Sequence, residues 1–360
     1  MRIVHVESGR HLYGGARQAG YLADDLAGRG IDSVLVCPPG HALAKVAGLA
    51  RVHVVPMRGD IDVAMVARLK RAFAALSADV VHVHSRRGAD VYGGIAARLY
   101  GAPALLTRRV DSREPAWMRW KYRPYRFVVA ISRAVHAQLC GAGLDPKRVP
   151  TVPSAVDAAR FRPSETARER VLRAFGLPDD AFVVGVCAQL IARKGHEFLI
   201  RALPAIVREV PRLHVLCFGR GALLAPLRRL AATLGVDAHV TFAGFRDDLE
   251  HVLPGLDLLV HPAEREGLGV AVLEAMSCGI AVVATRAGGL VDAVTDEREG
   301  LLVPYGDGEG LARAVARLAA DAHLRSRLGS AGRIRVMSQF SVARMTDAYL
   351  ELYRAAHARG

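Results

Sequence analysis

The stretch from Asp257 to Gly289 constrains the fold more than any other. Leu258, Leu259 and Val260 form a short apolar run of the kind buried in a parallel sheet, and Pro262 ends it. Gly267 and Gly269 flank Leu268 where a helix is expected to begin. That helix runs to about Ser277, Gly279 fits its stop, and Ala281–Ala284 reads as the next buried strand. A glycine loop that feeds a helix presents free N–H groups at the positive end of the helix dipole, where a diphosphate fits. Glu266 stands before the loop and Glu274 follows eight positions later, roughly 7 Å into the helix at 1.5 Å per residue. Its side chain leans back toward the N-terminus, so both carboxylates can face one ligand. Carboxylates accept hydrogen bonds from sugar hydroxyls and do not bind phosphate directly. Phosphate on the loop and hydroxyls on the glutamates together describe a nucleotide sugar.

A chain of 360 residues with 51% hydrophobic content suggests two domains, each with an ample core. Met1–Val6 already reads as strand, and no apolar run approaches the ~20 residues that span a membrane. Five scattered cysteines without C-x-x-C spacing are expected to be reduced core thiols. The expected location is therefore cytoplasmic, with room for peripheral attachment to the inner face of the membrane. Net charge is +14, and its distribution is uneven: residues 1–155 carry 23 Lys/Arg against 11 Asp/Glu, whereas the rest is nearly balanced. A basic first half is compatible with an anionic substrate, an anionic membrane or nucleic acid.

Strands are expected at Ile3–Val6, Ser33–Cys37, Val52–Val55, Val80–His84, Ala104–Leu106 and Val128–Ser132, with a helix after Gly14 and Gly15. His84 ends its strand, where doubly wound sheets bind ligands. Arg108 and Arg109 follow the fifth strand. Asp60-Ile61-Asp62 is the only D-x-D; an aspartate helix cap explains it more economically than a metal site, so no metal is expected. Arg108, Arg109, Arg113, Arg119, Lys121, Arg123 and Arg126 are interleaved with Trp117, Trp120, Tyr122 and Tyr125, which suits a membrane interface or a phosphorylated glycan. Pro150, Pro153 and Pro163 mark a linker. The second half opens with strand Phe182–Cys187, followed by Arg193-Lys194-Gly195 and a helix to about Glu209. Strand Leu213–Phe218 ends in Gly219, and strand Val240–Phe245 follows. The expected fold is α/β with two Rossmann-like doubly wound domains. Residues 1–157 form the acceptor-binding domain, 158–340 the nucleotide-sugar-binding domain, and 341–360 a helix that packs back on the first.

The run Glu266-Gly267-Leu268-Gly269 through Glu274-Ala275-Met276 and Cys278-Gly279 resembles the E-x7-E signature of the GT-B retaining glycosyltransferases of family 4. Lys194-Gly195 after the first strand of the second half resembles the family's phosphate-binding Lys-Gly. Gly14-Gly15 resembles its first-domain glycine loop. The resemblance implies a donor site in the interdomain cleft. It implies that Glu266 holds the sugar hydroxyls, Glu274 the ribose, and Arg193 and Lys194 the diphosphate. Gly267, Leu268, Gly269, Gly14, Gly15, Gly219 and Phe245 complete the donor contacts, and His84, Arg108 and Arg109 face the sugar or acceptor. Many relatives carry a histidine at about position 109, so Arg109 is a departure that suggests an anionic group nearby. The implied reaction is retaining and metal-independent transfer to a cell-envelope glycan or lipid-linked acceptor such as lipopolysaccharide core. A UDP-sugar is the leading donor, no cofactor is needed, and nucleic acid is not a partner. The alternatives are a nucleotide-sugar epimerase of the same architecture and a non-catalytic basic binding protein. The epimerase would need no acceptor, and the binding protein leaves both glutamates unexplained.

Overall fold

The computed structural model describes residues 1–9, 14–41, 43, 48–86, 88–111 and 116–358, without the side chains of Ala116 and Trp117. Arg113 and the Trp117 side chain, both singled out above, lie outside the described residues. The chain divides into one unit of Met1–Ala155 with Val342–Gly360 and a second of Val156–Ser341.

The first unit holds strands β1 (Arg2–Val6), β2 (Asp32–Cys37), β3 (Arg51–Val54), β4 (Val80–Val83), β5 (Ala104–Arg108) and β6 (Phe127–Ala130), in the order β3-β2-β1-β4-β5-β6. The second holds β7 (Phe182–Cys187), β8 (Leu213–Phe218), β9 (Val240–Gly244), β10 (Leu258–His261), β11 (Val282–Thr285) and β12 (Leu301–Val303), in the order β12-β11-β10-β7-β8-β9. Every pairing between these strands is parallel. The two orders are the same when each sheet is numbered from its own first strand, and both match the doubly wound arrangement. In each, the order reverses between the first and fourth strands, β1/β4 and β7/β10, so each unit offers one crevice at the carboxyl ends of that pair.

Apolar runs form the inner strands, as expected of a parallel sheet covered by helices on both faces, whereas the edge strand β3 is mostly exposed. In the first unit Leu22 and Leu26, from the helix Gly14–Gly28, pack with Ile3, Val80, Leu105 and Val129. The helix Val342–His357 brings Met345, Tyr349 and Tyr353 into the same cluster, which makes the end of the chain part of the first core. In the second unit Val184, Val186, Leu258 and Val260 pack against Leu199, Leu203 and Ile206 of the helix His196–Glu209.

The D-x-D reading needs correction. The helix Met65–Ala75 is preceded by Ala64 with no side-chain cap, so neither aspartate caps it. Asp62 instead accepts the Arg58 backbone N–H at 2.8 Å and pairs with the Arg68 guanidinium, while Asp60 is exposed. The basic segment is also divided. Lys121 is 2% exposed and bonded to Asp90 at 2.9 Å, and Tyr122 and Tyr125 are buried. Among its described residues from Arg119 to Arg126, only Arg119, Trp120, Arg123 and Arg126 are exposed.

Candidate active site

The crevice of the second unit is built from the segments that leave β7 and β10. After β7 a short 3-10 turn, Ala192–Lys194, ends at Gly195 with φ +71°. A Cβ there would stand 1.8 Å from the Pro262 carbonyl oxygen, so only glycine lets this turn lie against the segment leaving β10. The contact is reinforced where the Glu264 N–H donates to the Arg193 carbonyl at 2.9 Å. This close approach brings Lys194 to Glu266.

Glu266 is the convergence point. One carboxylate oxygen receives both the Lys194 ammonium and the His261 Nε2–H, the latter at 2.8 Å; the other accepts the Gly267 N–H at 2.9 Å. Since a carboxylate only accepts, His261 must carry its proton on Nε2. Burial alone would push the Glu266 carboxyl up; the His261 bond and the Lys194 charge overcome that and hold it below the ordinary carboxylate range. A carboxyl depressed in this way adds stability above its unfolded value near 4.5, and the contribution is lost as pH falls through the lower folded value. Glu266 is thus ionised at neutral pH. His196 lies behind the pair, 2% exposed, with neither ring nitrogen hydrogen-bonded among the described residues. Burial, then His261 and Lys194, lower it to about 4, so its ring is neutral.

Glu274 is 7% exposed within the helix Val270–Ser277, whose preceding Gly269 supplies no side-chain cap. Its carboxylate raises the Cys187 thiol at the end of β7, after burial, which sets it beside the same crevice. Arg193 is half-buried and reaches the Arg265 carbonyl at 3.4 Å. Gly267, Leu268 and Gly269 are buried, and a Cβ on Gly289 would stand 2.1 Å from the Gly267 oxygen. A Cβ on Gly219 would meet the Ala188 oxygen at 1.9 Å, so the end of β8 presses on the segment leaving β7. Phe245 is 40% exposed, with the Arg220 guanidinium 5.5 Å from its ring centre.

The crevice of the first unit is lined by histidines. His84 and Ser85 leave β4 beside Glu7 and Ser8, which leave β1; the Ser8 N–H donates to Ser85 Oγ at 2.7 Å. Arg109 donates to His84 Nδ1 and to Ser154 Oγ, each at 3.3 Å. Arginine can only donate, so His84 carries its proton on Nε2 and gives it to His5 Nδ1 at 3.0 Å, which leaves the His5 proton on Nε2. His82 continues the array through Tyr353 at 2.6 Å and Thr107 at 2.7 Å, and Thr107 bonds Tyr349. Burial lowers all three histidines, His5 to about 3. Their ring nitrogens come within 4.8 Å of one another, a spacing that could hold a metal ion. Both nitrogens of His82 are already bonded, however, and the Arg109 charge would face any cation there. We read the group as a neutral hydrogen-bond array.

Lys194, Glu266, Gly267 and the Arg193 backbone therefore stand together in one unit. His84 and Arg109 stand together in the other, with Gly15 beside Arg109: a Cβ on it would be 3.4 Å from Arg109 Cδ. Gly14 is exposed, and Arg108 is 5% exposed at the end of β5. Sequence reasoning missed His261 and His196. The available signal was a histidine at a strand's carboxyl end five residues before Glu266, and a second directly after Lys194-Gly195.

A family model described as Glycosyl transferases group 1 matches residues 167–335, and one described as Glycosyltransferase Family 4 matches residues 13–160. A D-inositol 3-phosphate glycosyltransferase of Salinispora arenicola is 33% identical over 323 residues, covering 81% of this chain and 72% of the relative. The lipopolysaccharide core biosynthesis glycosyltransferase LpsE of Rhizobium meliloti is 39% identical over 175 residues, 49% of this chain and 50% of the relative. Several of the curated relatives are matched over only about half of their length. The crystal structure of HepE from Anabaena in complex with UDP has a TM-score of 0.86 at 20% identity, covering 99% of this chain and 100% of the other. Such a likeness speaks for the fold alone.

Proposed function

The chain belongs to the GT-B glycosyltransferases of family 4, and from that premise we propose that it moves a sugar from a nucleotide-sugar donor to a cell-envelope glycan or lipid-linked acceptor, with retention of configuration and without a metal. The observation that carries this reading is the Glu266 carboxylate, ionised and shared between Lys194 and His261 at the β7/β10 crevice. A UDP-sugar is the leading donor, and two relatives are named for an inositol phosphate and a lipopolysaccharide core.

Transfer needs the charge of the departing diphosphate neutralised. Lys194, Arg193 and the free N–H groups at the start of the helix Val270–Ser277 supply positive potential without a metal. When a diphosphate arrives, Lys194 turns from Glu266 to the phosphate. His261 and the Gly267 N–H then keep the carboxylate oriented toward the sugar hydroxyls. Glu274 takes the ribose, and Gly219 with Phe245 borders the base. Chelated and desalted protein is expected to retain its release of UDP from UDP-sugars. Activity that vanishes after EDTA and returns with Mn²⁺ or Mg²⁺ contradicts metal independence.

No helix among the described residues is long and apolar enough to cross a membrane. Cytoplasmic location with reversible attachment at the inner face is our reading, supported by exposed Arg119, Arg123 and Arg126 around Trp120, itself 43% exposed. Each cation near an anionic bilayer contributes about 1 kcal/mol. The protein is expected to co-sediment with anionic liposomes at low salt, and a triple variant with serine at 119, 123 and 126 to bind about 100-fold more weakly. Equal sedimentation with neutral liposomes points to a soluble acceptor instead.

A further inference from the structure

Arg109 is a half-buried cation that forms no ion pair with a carboxylate among the described residues. Its guanidinium meets two neutral acceptors, Ser154 Oγ and His84 Nδ1, both at 3.3 Å, the long end of hydrogen-bond range. Its Nε is buried and has no partner among the described residues. The neighbouring rings of His5, His82 and His84 are neutral and bring no negative charge. Besides the Tyr349 and Tyr353 hydroxyls, the carboxylate that acts on it is Glu7, 3% exposed, whose Oε1 is taken by the Gly9 N–H at 2.7 Å. No carboxylate stands within ion-pair distance of Arg109 among the described residues. A guanidinium removed from water ordinarily gains a carboxylate or phosphate on its planar fork. Here the fork is held in place by Ser154 and His84, and His84 is fixed in turn by His5.

We propose that Arg109 is the receptor for an anionic group, a carboxylate or phosphate borne by a sugar, and that it selects charged over neutral sugars. The proposal deepens the transferase reading, and rests on it for the choice of sugar ligands. The anion completes the Nε edge and shortens the two long bonds. Ser154 and His84 act as positioning residues that aim the fork. The same chemistry fits a uronic acid on the donor and a phosphate on the acceptor.

Intact wild-type protein, Arg109→Gln and Arg109→Lys are first checked for folding by thermal midpoint, then titrated calorimetrically with glucuronate, glucose 6-phosphate and glucose. At least one anionic sugar is expected to bind wild type about 10- to 100-fold more tightly than glucose, the range for a hydrogen bond to a charged group. Arg109→Gln should erase the difference, and Arg109→Lys should keep part of it. Charged and neutral sugars binding alike, or a preference that survives Arg109→Gln, overturns the proposal. UDP release from UDP-glucuronate against UDP-glucose, and transfer to myo-inositol phosphate against myo-inositol, then locate the anion. A charge preference in the first pair puts it on the donor, in the second on the acceptor, and none in either overturns the assignment. If no nucleotide sugar releases UDP, the transferase reading fails while the titration still judges Arg109.

Discussion

Replacing Glu266 by alanine is expected to leave a folded protein that no longer transfers sugar, with kcat reduced by about 10³-fold or more. The carboxylate is the one group that Lys194, His261 and the Gly267 N–H all address, and its position is fixed before any ligand arrives. Without it the sugar loses its charged acceptor, and Lys194 loses the partner that holds it in the crevice. Lys194→Ala should be less severe, at about 2–4 kcal/mol of transition-state stabilisation, because Arg193 and the helix start remain. His261→Asn keeps a donor near Glu266 and should fall between wild type and the alanine variant. The check is initial rate at saturating donor, with circular dichroism to confirm folding. Turnover near wild type in Glu266→Ala rules out the assigned role.

The largest effect on stability is expected at Lys121. Its ammonium and the Asp90 carboxylate are 2% and 10% exposed, and the Asp90 carbonyl also accepts the Tyr125 hydroxyl at 3.0 Å. Removing one partner leaves the other charge buried and alone, which costs about 3–5 kcal/mol. For a unit of this size, the thermal midpoint of Lys121→Ala should fall by roughly 6–20 °C. Arg123→Ala, two residues away in a solvent-facing turn, should stay within about 0.5 kcal/mol of wild type. Similar midpoints for the two variants contradict the buried pair.

Much of the fold is legible in the sequence because parallel strands are written as apolar runs. Phe182–Cys187 and Leu213–Phe218 are read to the residue, and the helix ending at Glu209 likewise. Side-chain pairing is less legible. The D-x-D motif precedes a helix by composition, yet Asp62 turns to Arg68, a partner that only the folded loop brings near. Lys121 looks like one more surface cation in a basic run; its burial depends on Asp90, 31 positions earlier. In the candidate site, Glu266 and Lys194 are visible as motif residues. Their contact across 72 positions follows from Gly195 passing close to the Pro262 carbonyl. His261 and His196 carry no motif, since a histidine in an apolar run reads as an ordinary core residue until its neighbours are known. Arg109 is visible as a departure from a pattern, whereas its neutral surroundings come from His5 on β1, His82 on β4 and His84 just after β4.

The central claim is that the Lys194–Glu266 crevice receives a nucleotide sugar. Thermal unfolding of chelated protein with UDP-, GDP- and ADP-sugars tests it most directly, because a ligand that binds the folded state raises its stability by RT ln(1 + [L]/Kd). The account predicts that one nucleotide series, UDP-sugars foremost, raises the midpoint with concentration, and that the rise shrinks sharply in Lys194→Ala. No shift with any nucleotide sugar, or an equal shift in wild type and Lys194→Ala, contradicts it.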